Sequence, residues 1–354
     1  MTLMSTRDHA SAPLSTGAPA VHVPDAPPIP GLCFRLFAGS ADYPGMVEVI
    51  NAAYHEDGVD EVVTLQQHAA EYDHPVDCDP LRDVLIAEVD GRMIAYSRTR
   101  SVERSAGERT YGHRGHVTPA YRRRGLGRAM LCWNEEHLRT LAPGQPADRP
   151  LIFDSWAMQE ELGAHALLRS EDYTPARYFF DMLRPALDSL PEAPLPDGLE
   201  IRPVRGEDID RILDADNEAF RDHWGHSEAT EQDRAALMAA PDTDIGLWVV
   251  AWDGDDPAGI AINTIYAADN EAFGRQRFWV DSLAVRRPWR RRGLGRALLV
   301  ESLRLLRGRG MTSAALGVDS ENLSGALGIY ERVGFVVEKT STVYRKPLAA
   351  GATP

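Results

Sequence analysis

The 354-residue sequence is short of cysteine, of positive charge and of long apolar runs, and each shortage excludes something. Its three cysteines, Cys33, Cys78 and Cys132, are odd in number and lack any C-x-x-C spacing. That argues against a disulfide framework or a structural metal site and suits a reducing cytoplasm. No stretch approaches the ~18–20 apolar residues of a membrane span, so no membrane partner is expected. Lys and Arg number 38 against 53 Asp and Glu, a net charge of −15, whereas a nucleic-acid binder needs a basic face. The dinucleotide fingerprint G-x-G-x-x-G and the P-loop G-x-x-x-x-G-K-[ST] are both absent from the glycine-rich segments.

What is present is a repeat. The octet RRRGLGRA stands at 122–129 and again at 290–297, 168 residues on. Other landmarks recur at nearly the same spacing: LCFRLF (32–37) with LEIRPV (199–204), NAAYHEDG (51–58) with NEAFRDHWG (217–225), and SEDY (170–173) with RVGF (332–335). Hairpin signals, Asp90-Gly91 and DGDDPAG (253–259), separate strand-like runs in each copy. Near-constant offsets between whole sets of elements mean duplication of a domain. The reading is a tail at 1–30 with six prolines, a first domain at 31–186, a proline-rich linker at 187–198 and a second domain at 199–348. Each domain reads as α/β with a mixed central sheet flanked by helices. The duplication leaves monomer and homodimer both open.

In the second copy an apolar strand, FWVDSLAV (278–285), precedes the octet, and a helix pattern (297–310) follows it. Gly293 and Gly295 permit a tight turn and close approach of a ligand to the backbone. The N–H groups of the new helix then converge on one point, where the dipole favours an anion. Arg290, Arg291, Arg292 and Arg296 add positive charge, so the segment reads as a pyrophosphate cradle.

LAVRRPWRRRGLGRALL (283–299) resembles the acetyl-coenzyme A loop of the GNAT acetyltransferase superfamily, [QR]-x-x-G-x-[GA] after a strand ending in valine. ALGVDSENLSGALGIYERVGF (315–335) is similar to that family's closing strand and helix, and the first half matches over 112–130 and faintly at 165–180. Two copies in one chain are similar to the family's tandem-domain members. The resemblance implies two GNAT-like folds, acetyl-CoA as co-substrate, no metal, and a small-molecule amine as acceptor. It implies coenzyme contacts from Leu283, Val285, Arg290, Arg291, Arg292, Gly293, Leu294, Gly295, Arg296, Ala297 and Asn322. In the first half the matching residues are Val117, Arg122, Arg123, Arg124, Gly125, Leu126, Gly127, Arg128 and Ala129.

Acetylation of an amine needs a base for the ammonium and an acid for the leaving thiolate. Tyr330 matches the family's tyrosine beside the coenzyme sulfur. Period-2 alternation puts Trp279, Asp281, Leu283 and Val285 on one face, where Asp281 alone is ionisable. Asp281 is thus either the base, directly or through water, or a carboxylate paired with an arginine such as Arg287. His223 and Trp224 fall where the family builds its acceptor pocket. In the first half Leu168 stands at the place of Tyr330 and His113 at that of Asp281, so that half is expected to keep the cradle and lose turnover. Three functions follow: a small-amine N-acetyltransferase; a tandem member acetylating a cysteinyl sugar conjugate, expected to carry glutamate where this chain has Trp279; or an acyl-CoA-binding regulatory module without turnover.

Overall fold

The computed structural model describes residues 19–142, 150–322 and 325–348. The first half runs β1 (Leu32–Leu36), α1 (Tyr43–Asp57), α2 (Leu65–Asp73), α3 (Pro80–Asp83), β2 (Val84–Val89), β3 (Arg92–Glu103), β4 (Arg109–Val117), α4 (Leu126–Thr140), β5 (Leu151–Ala157), α5 (Leu162–Ser170) and β6 (Thr174–Arg184). The second runs β7 (Glu200–Ile201), α6 (Ile209–Phe220), α7 (Glu231–Ala239), β8 (Val249–Asp253), β9 (Asp256–Thr264), α8 (Ala267–Ala272), β10 (Arg277–Val285), α9 (Leu294–Gly308), β11 (Ser313–Asp319), α10 (Ala326–Val333) and β12 (Val336–Pro347). Local chemistry accounts for the repeats. Asp90 and Gly91 both take positive φ (51° and 78°), as a two-residue hairpin between β2 and β3 demands. Helices α2 and α7 each begin with a capping box, Thr64 with Gln67 and Thr230 with Asp233.

The strands form one continuous sheet in the order β1-β2-β3-β4-β5-β12-β6-β11-β10-β9-β8-β7. The halves therefore exchange their last strands. β12, from the second half, lies between β5 and β6, with Tyr344 opposite Ser155; β6, from the first, pairs with β11, with Met182 opposite Leu316. The cores follow the exchange. Tyr344 is fully buried among the first-half residues Tyr111, Leu138 and Phe153, while Met182 is buried among the second-half residues Phe278, Leu303 and Leu316. Each half's hydrophobic core is completed by a side chain from the other, which makes separation of the two costly.

Residues 19–30, within the expected tail, pack against the sheet. Val21 N–H donates to the Phe34 carbonyl at 2.8 Å, and Val23 is buried beside Leu126 and Met130. Residues 1–18 lie outside the described residues. The expected linker is packed too, with Leu187 and Ala193 buried against the second-half core. It repeats the leader: Leu32 N–H bonds Ile29 O at 3.1 Å, and Leu199 N–H bonds Pro196 O at 3.2 Å. Among the described residues no helix is long and apolar enough to cross a membrane.

Candidate active site

The two octets adopt the same backbone. Arg123 and Arg291 are left-handed (φ 61° and 60°), as are Gly125 and Gly293 (φ 89° and 88°), and α4 and α9 start at the next residue without a side-chain cap. Left-handed residues alternating with right-handed or extended ones turn successive N–H groups toward one point, and an uncapped first turn leaves its donors to an anion. Not every octet residue faces that point. Leu126, Ala129, Leu294 and Ala297 are buried in the core, with Leu283, Val285 and Val117 packed nearby. Arg128 pairs with Glu171 at 2.5 Å, Arg124 lies over the Tyr121 ring, and Arg292 donates to the Asp197 carbonyl at 3.1 Å.

The leading arginine turns back in both copies. Arg290 Nε donates to Val285 O and Nη2 to Ala219 O, both at 2.9 Å. Arg122 Nε donates to Val117 O at 3.0 Å, Nη2 reaches Ala53 O at 3.3 Å, and the Asp57 carboxylate takes the fork at 2.6 and 2.9 Å. Both guanidinium forks are thus engaged on the chain's own carbonyl and carboxylate oxygens. The second cradle still fits a pyrophosphate: Gly293 has open space where a Cβ would be, Arg291 is exposed, and the buried Arg296 Nε has no partner. At Gly125 a Cβ would meet Pro27 of the leader at 3.6 Å.

β10 departs from simple alternation. Val280 pairs with Asn263 and Ser282 with Ile262, leaving Asp281 as an extra residue in a β-bulge. A bulge reverses which side chains face which layer. Phe278 and Val280 pack on the α9 side before it, whereas Leu283 and Val285 do so after it and Ala284 packs with α6. The expected single face of Trp279, Asp281, Leu283 and Val285 is thus broken at Asp281. The parallel pairing of β10 with β11 also ends there, at Val280–Leu316, so the strands splay into a V. Asp281 is open to water yet hemmed in: burial raises its carboxyl above the usual range, and the Tyr266 hydroxyl lies 3.4 Å away. Arg287 pairs with Asp222 at 2.5 Å and not with Asp281.

The first half closes the same V. β4 pairs with β3 residue for residue without a bulge, and β4–β5 pairing ends at Gly112–Asp154. Across the splay, Ser155 Oγ donates to His113 O at 2.8 Å and Arg114 Nη1 to Trp156 O at 2.8 Å. In the second half the residue matching Ser155 by register is Gly317, which has no side chain to make that bridge. His113 is buried, and burial lowers its pKa to about 4; Leu168 is buried among core residues.

Tyr330 lies on α10 with its ring in the core, 6.2 Å from Phe335, and burial pushes its hydroxyl up to about 12. Asn322 sits in the turn after β11, its N–H donating to Asp319 O at 3.1 Å. His223 stacks edge-on against Phe220, and burial, then Arg290, lowers its pKa. Trp224 contacts the seam, with Arg345 at 4.4 Å and Arg177 at 5.4 Å from its ring centroid.

Sequence reasoning missed a chamber between the halves, where Glu61, Asp181 and Trp279 share the lining. Burial, then Asp269, Asp181 and Asp60, raises Glu61 to about 7; burial raises Asp181 to about 6. No spacing rule links residue 61 to 279; only the exchanged sheet brings them together. Among the described residues no group of three or more His, Cys, Asp or Glu is placed to hold a metal ion.

The profile of the Acetyltransferase (GNAT) family matches residues 46–144 and 209–335. A mycothiol acetyltransferase of Salinispora tropica is 36% identical over 222 residues, 62% of this chain and 67% of the relative. One of Geodermatophilus obscurus is 32% identical over 273 residues, 75% of this chain and 82% of the relative. Among solved structures, a GCN5-related N-acetyltransferase from Sphaerobacter thermophilus superposes with a TM-score of 0.67 at 26% identity, covering 94% of this chain and 98% of its own. A tandem GNAT protein of the clavulanic acid biosynthesis pathway shares the fold, with a TM-score of 0.66 at 14% identity over 91% of this chain and all of its own.

Proposed function

The chain belongs to the acetyltransferase (GNAT) family and is an acyltransferase that moves an acetyl group from acetyl-CoA to an amine; from that premise we propose that the chemistry is confined to residues 199–348. The observation that carries this reading is the contrast between the two splays. The second is bulged at Asp281 and unbridged at Gly317, while the first is unbulged and crossed by Ser155 and Arg114. The first half then keeps a coenzyme cradle without turnover. When bound, acetyl-CoA supplies the electrophilic carbonyl and a thiolate leaving group. The backbone N–H groups of the second octet, Arg291 and Arg296, with Asn322, would hold its polar end, and the splayed edge of β10 would receive its acyl arm.

Asp281 takes the proton from the acceptor ammonium, whose pKa of ~10 keeps it charged at neutral pH. Burial raises the Asp281 carboxyl, which narrows the gap to that ammonium. Tyr330, held protonated by burial, gives its proton to the departing sulfur. Asp281→Asn is expected to lower the rate chiefly on the acid side of the pH profile; an unchanged profile returns Asp281 to a structural role. The relatives named mycothiol acetyltransferase support a second reading of the acceptor, a cysteinyl sugar conjugate. The protein would then be a monomer or homodimer in the cytoplasm, acting on a small molecule.

The test is calorimetric titration of acetyl-CoA into wild type, Gly125→Glu and Gly293→Glu, followed by acetyl transfer to a panel of small amines. Loss of turnover with Gly293→Glu alone supports the reading. Binding without turnover on any amine would make the protein a regulatory module.

A further inference from the structure

The side chain of Arg290 joins two stretches of the second half that are distant in sequence, 219–222 and 285–290. Its Nε holds the Val285 carbonyl at the end of β10, and its Nη2 holds the Ala219 carbonyl in the last turn of α6. Its Nη1 lies 3.4 Å from Asp222 in the loop that follows. Carbonyls in a helix's last turn have no donor of their own, and the negative end of the helix favours a cation there. A guanidinium suits the task because its donors form a fixed fork that can serve several acceptors at once.

The loop at 221–228 then crosses to the first half. Gly225 O accepts from Arg104 Nη1 and His226 O from Ser105 N–H, each at 2.8 Å. Trp224 rests against Arg177 on β6 and Arg345 on β12. The first half repeats the device with Arg122, Ala53, Val117 and Asp57, and the segment after its α1 crosses the opposite way, Val62 N–H donating to Asp269 at 2.8 Å. An arrangement built twice from the same atoms is a constructed feature of the repeat.

We infer that Arg290 is a positioning residue that fixes the 221–228 loop to the coenzyme loop, so that ordering of the octet by acetyl-CoA is transmitted to the segment facing the other half. The inference rests on the second half being the acetyl-CoA-binding one. It assigns the octet's leading arginine to coupling and leaves phosphate contact to the backbone, Arg291 and Arg296.

The experiment is amide hydrogen exchange on the full chain, with and without acetyl-CoA, in wild type, Arg290→Gln and Arg290→Lys, beside calorimetric binding of acetyl-CoA. In wild type, acetyl-CoA is expected to slow exchange at 221–228. In ligand-free Arg290→Gln that segment is expected to exchange about tenfold faster, as loss of a charge-assisted hydrogen bond implies, and acetyl-CoA no longer slows it. The acetyl-CoA Kd stays within about threefold of wild type, because the phosphate donors are untouched. Arg290→Lys is not expected to restore protection, since an ammonium lacks the fork. Binding weakened tenfold with exchange unaltered would make Arg290 a phosphate ligand and overturn the inference, as would protection restored by lysine or exchange unaltered in every variant. If Arg290→Gln does not fold, Asp222→Asn weakens the pairs with both Arg290 and Arg287, so it is compared with Arg287→Gln; exchange about twofold faster in Asp222→Asn is expected, and equal exchange in the two counts against the inference. Should wild type bind no acetyl-CoA, the assignment of function fails, while the ligand-free comparison still decides the strap.

Discussion

His113 Nε2 lies 2.7 Å from the Tyr173 hydroxyl, at the position where the second half has its bulged Asp281. The Tyr173 hydroxyl also lies 3.0 Å from Glu135, and Lys346 donates to the same carboxylate at 2.8 Å. A satisfied polar chain thus fills the place where the proposed chemistry of the second half sits. His113→Ala is expected to lower stability by about 1–3 kcal/mol, the cost of a cavity and a broken buried hydrogen bond, and to leave kcat/KM within about twofold. Thermal denaturation beside steady-state kinetics checks both. A large loss of activity without loss of stability would put chemistry in the first half.

Gly317→Ser carries the contrast between the splays across to the second half. A Cβ at Gly317 meets only an Asp181 oxygen, at 3.9 Å, so the serine fits. Its hydroxyl is expected to bridge to the Asp281 carbonyl as Ser155 bridges to that of His113, raising KM for acetyl-CoA by about tenfold, the value of one misplaced or obstructing contact at ~1.4 kcal/mol. Unchanged kinetics would mean that the splay does not receive the acyl arm.

Tyr330→Phe removes one hydroxyl and keeps the ring contact with Phe335. Loss of a general acid is expected to lower kcat by about 10²-fold with little change in Tm. Equal rates for the two proteins would end its role as the acid.

Acid sensitivity is expected from the first half's histidines. Burial lowers His68 and His113 to about 4 and lowers His116 well below the usual imidazole range. The unfolded chain therefore binds more protons below pH ~6.5, and stability falls as pH drops from there toward 4. Glu61 and Asp181, raised to about 7 and about 6, act with the opposite sign, so a variant isolates the effect. His68 stacks on Tyr72 at 4.5 Å, and its Nε2 is buried without a partner, so phenylalanine fits the site. Between pH 6.5 and 5, His68→Phe is expected to lose less stability than wild type, by up to about 1.4 kcal/mol per pH unit. Urea unfolding at the two pH values measures it, and equal slopes would show that His68 does not titrate.

The octet, its flanking strand and helix and the 168-residue offset were legible because glycine at left-handed φ and apolar periodicity leave marks in a single segment. The bulge at Asp281 was not legible, since it consists of one unpaired residue seen only against β9. That single residue turns Trp279 away from α9, whereas Tyr111, its counterpart in the unbulged β4, stays in the core beside α4. Nor did composition forecast the exchange of β6 and β12, because either strand satisfies the same alternation beside either neighbour. The partners Ala219 of Arg290 and Arg177 and Arg345 of Trp224 were not legible either, because they lie on a distant segment or on the exchanged strands.

The place of β12 between β5 and β6 also fixes the order in which the chain matures. The first half leaves the ribosome before residues 336–347, which fill the slot between its β5 and β6, have been synthesised. Until they arrive, β5 and β6 present unpaired edges open to any other extended chain, the hazard that exposed edges carry. Closure of the sheet therefore waits on one long-range strand insertion. A nascent chain stalled before residue 336 is an aggregation-prone species.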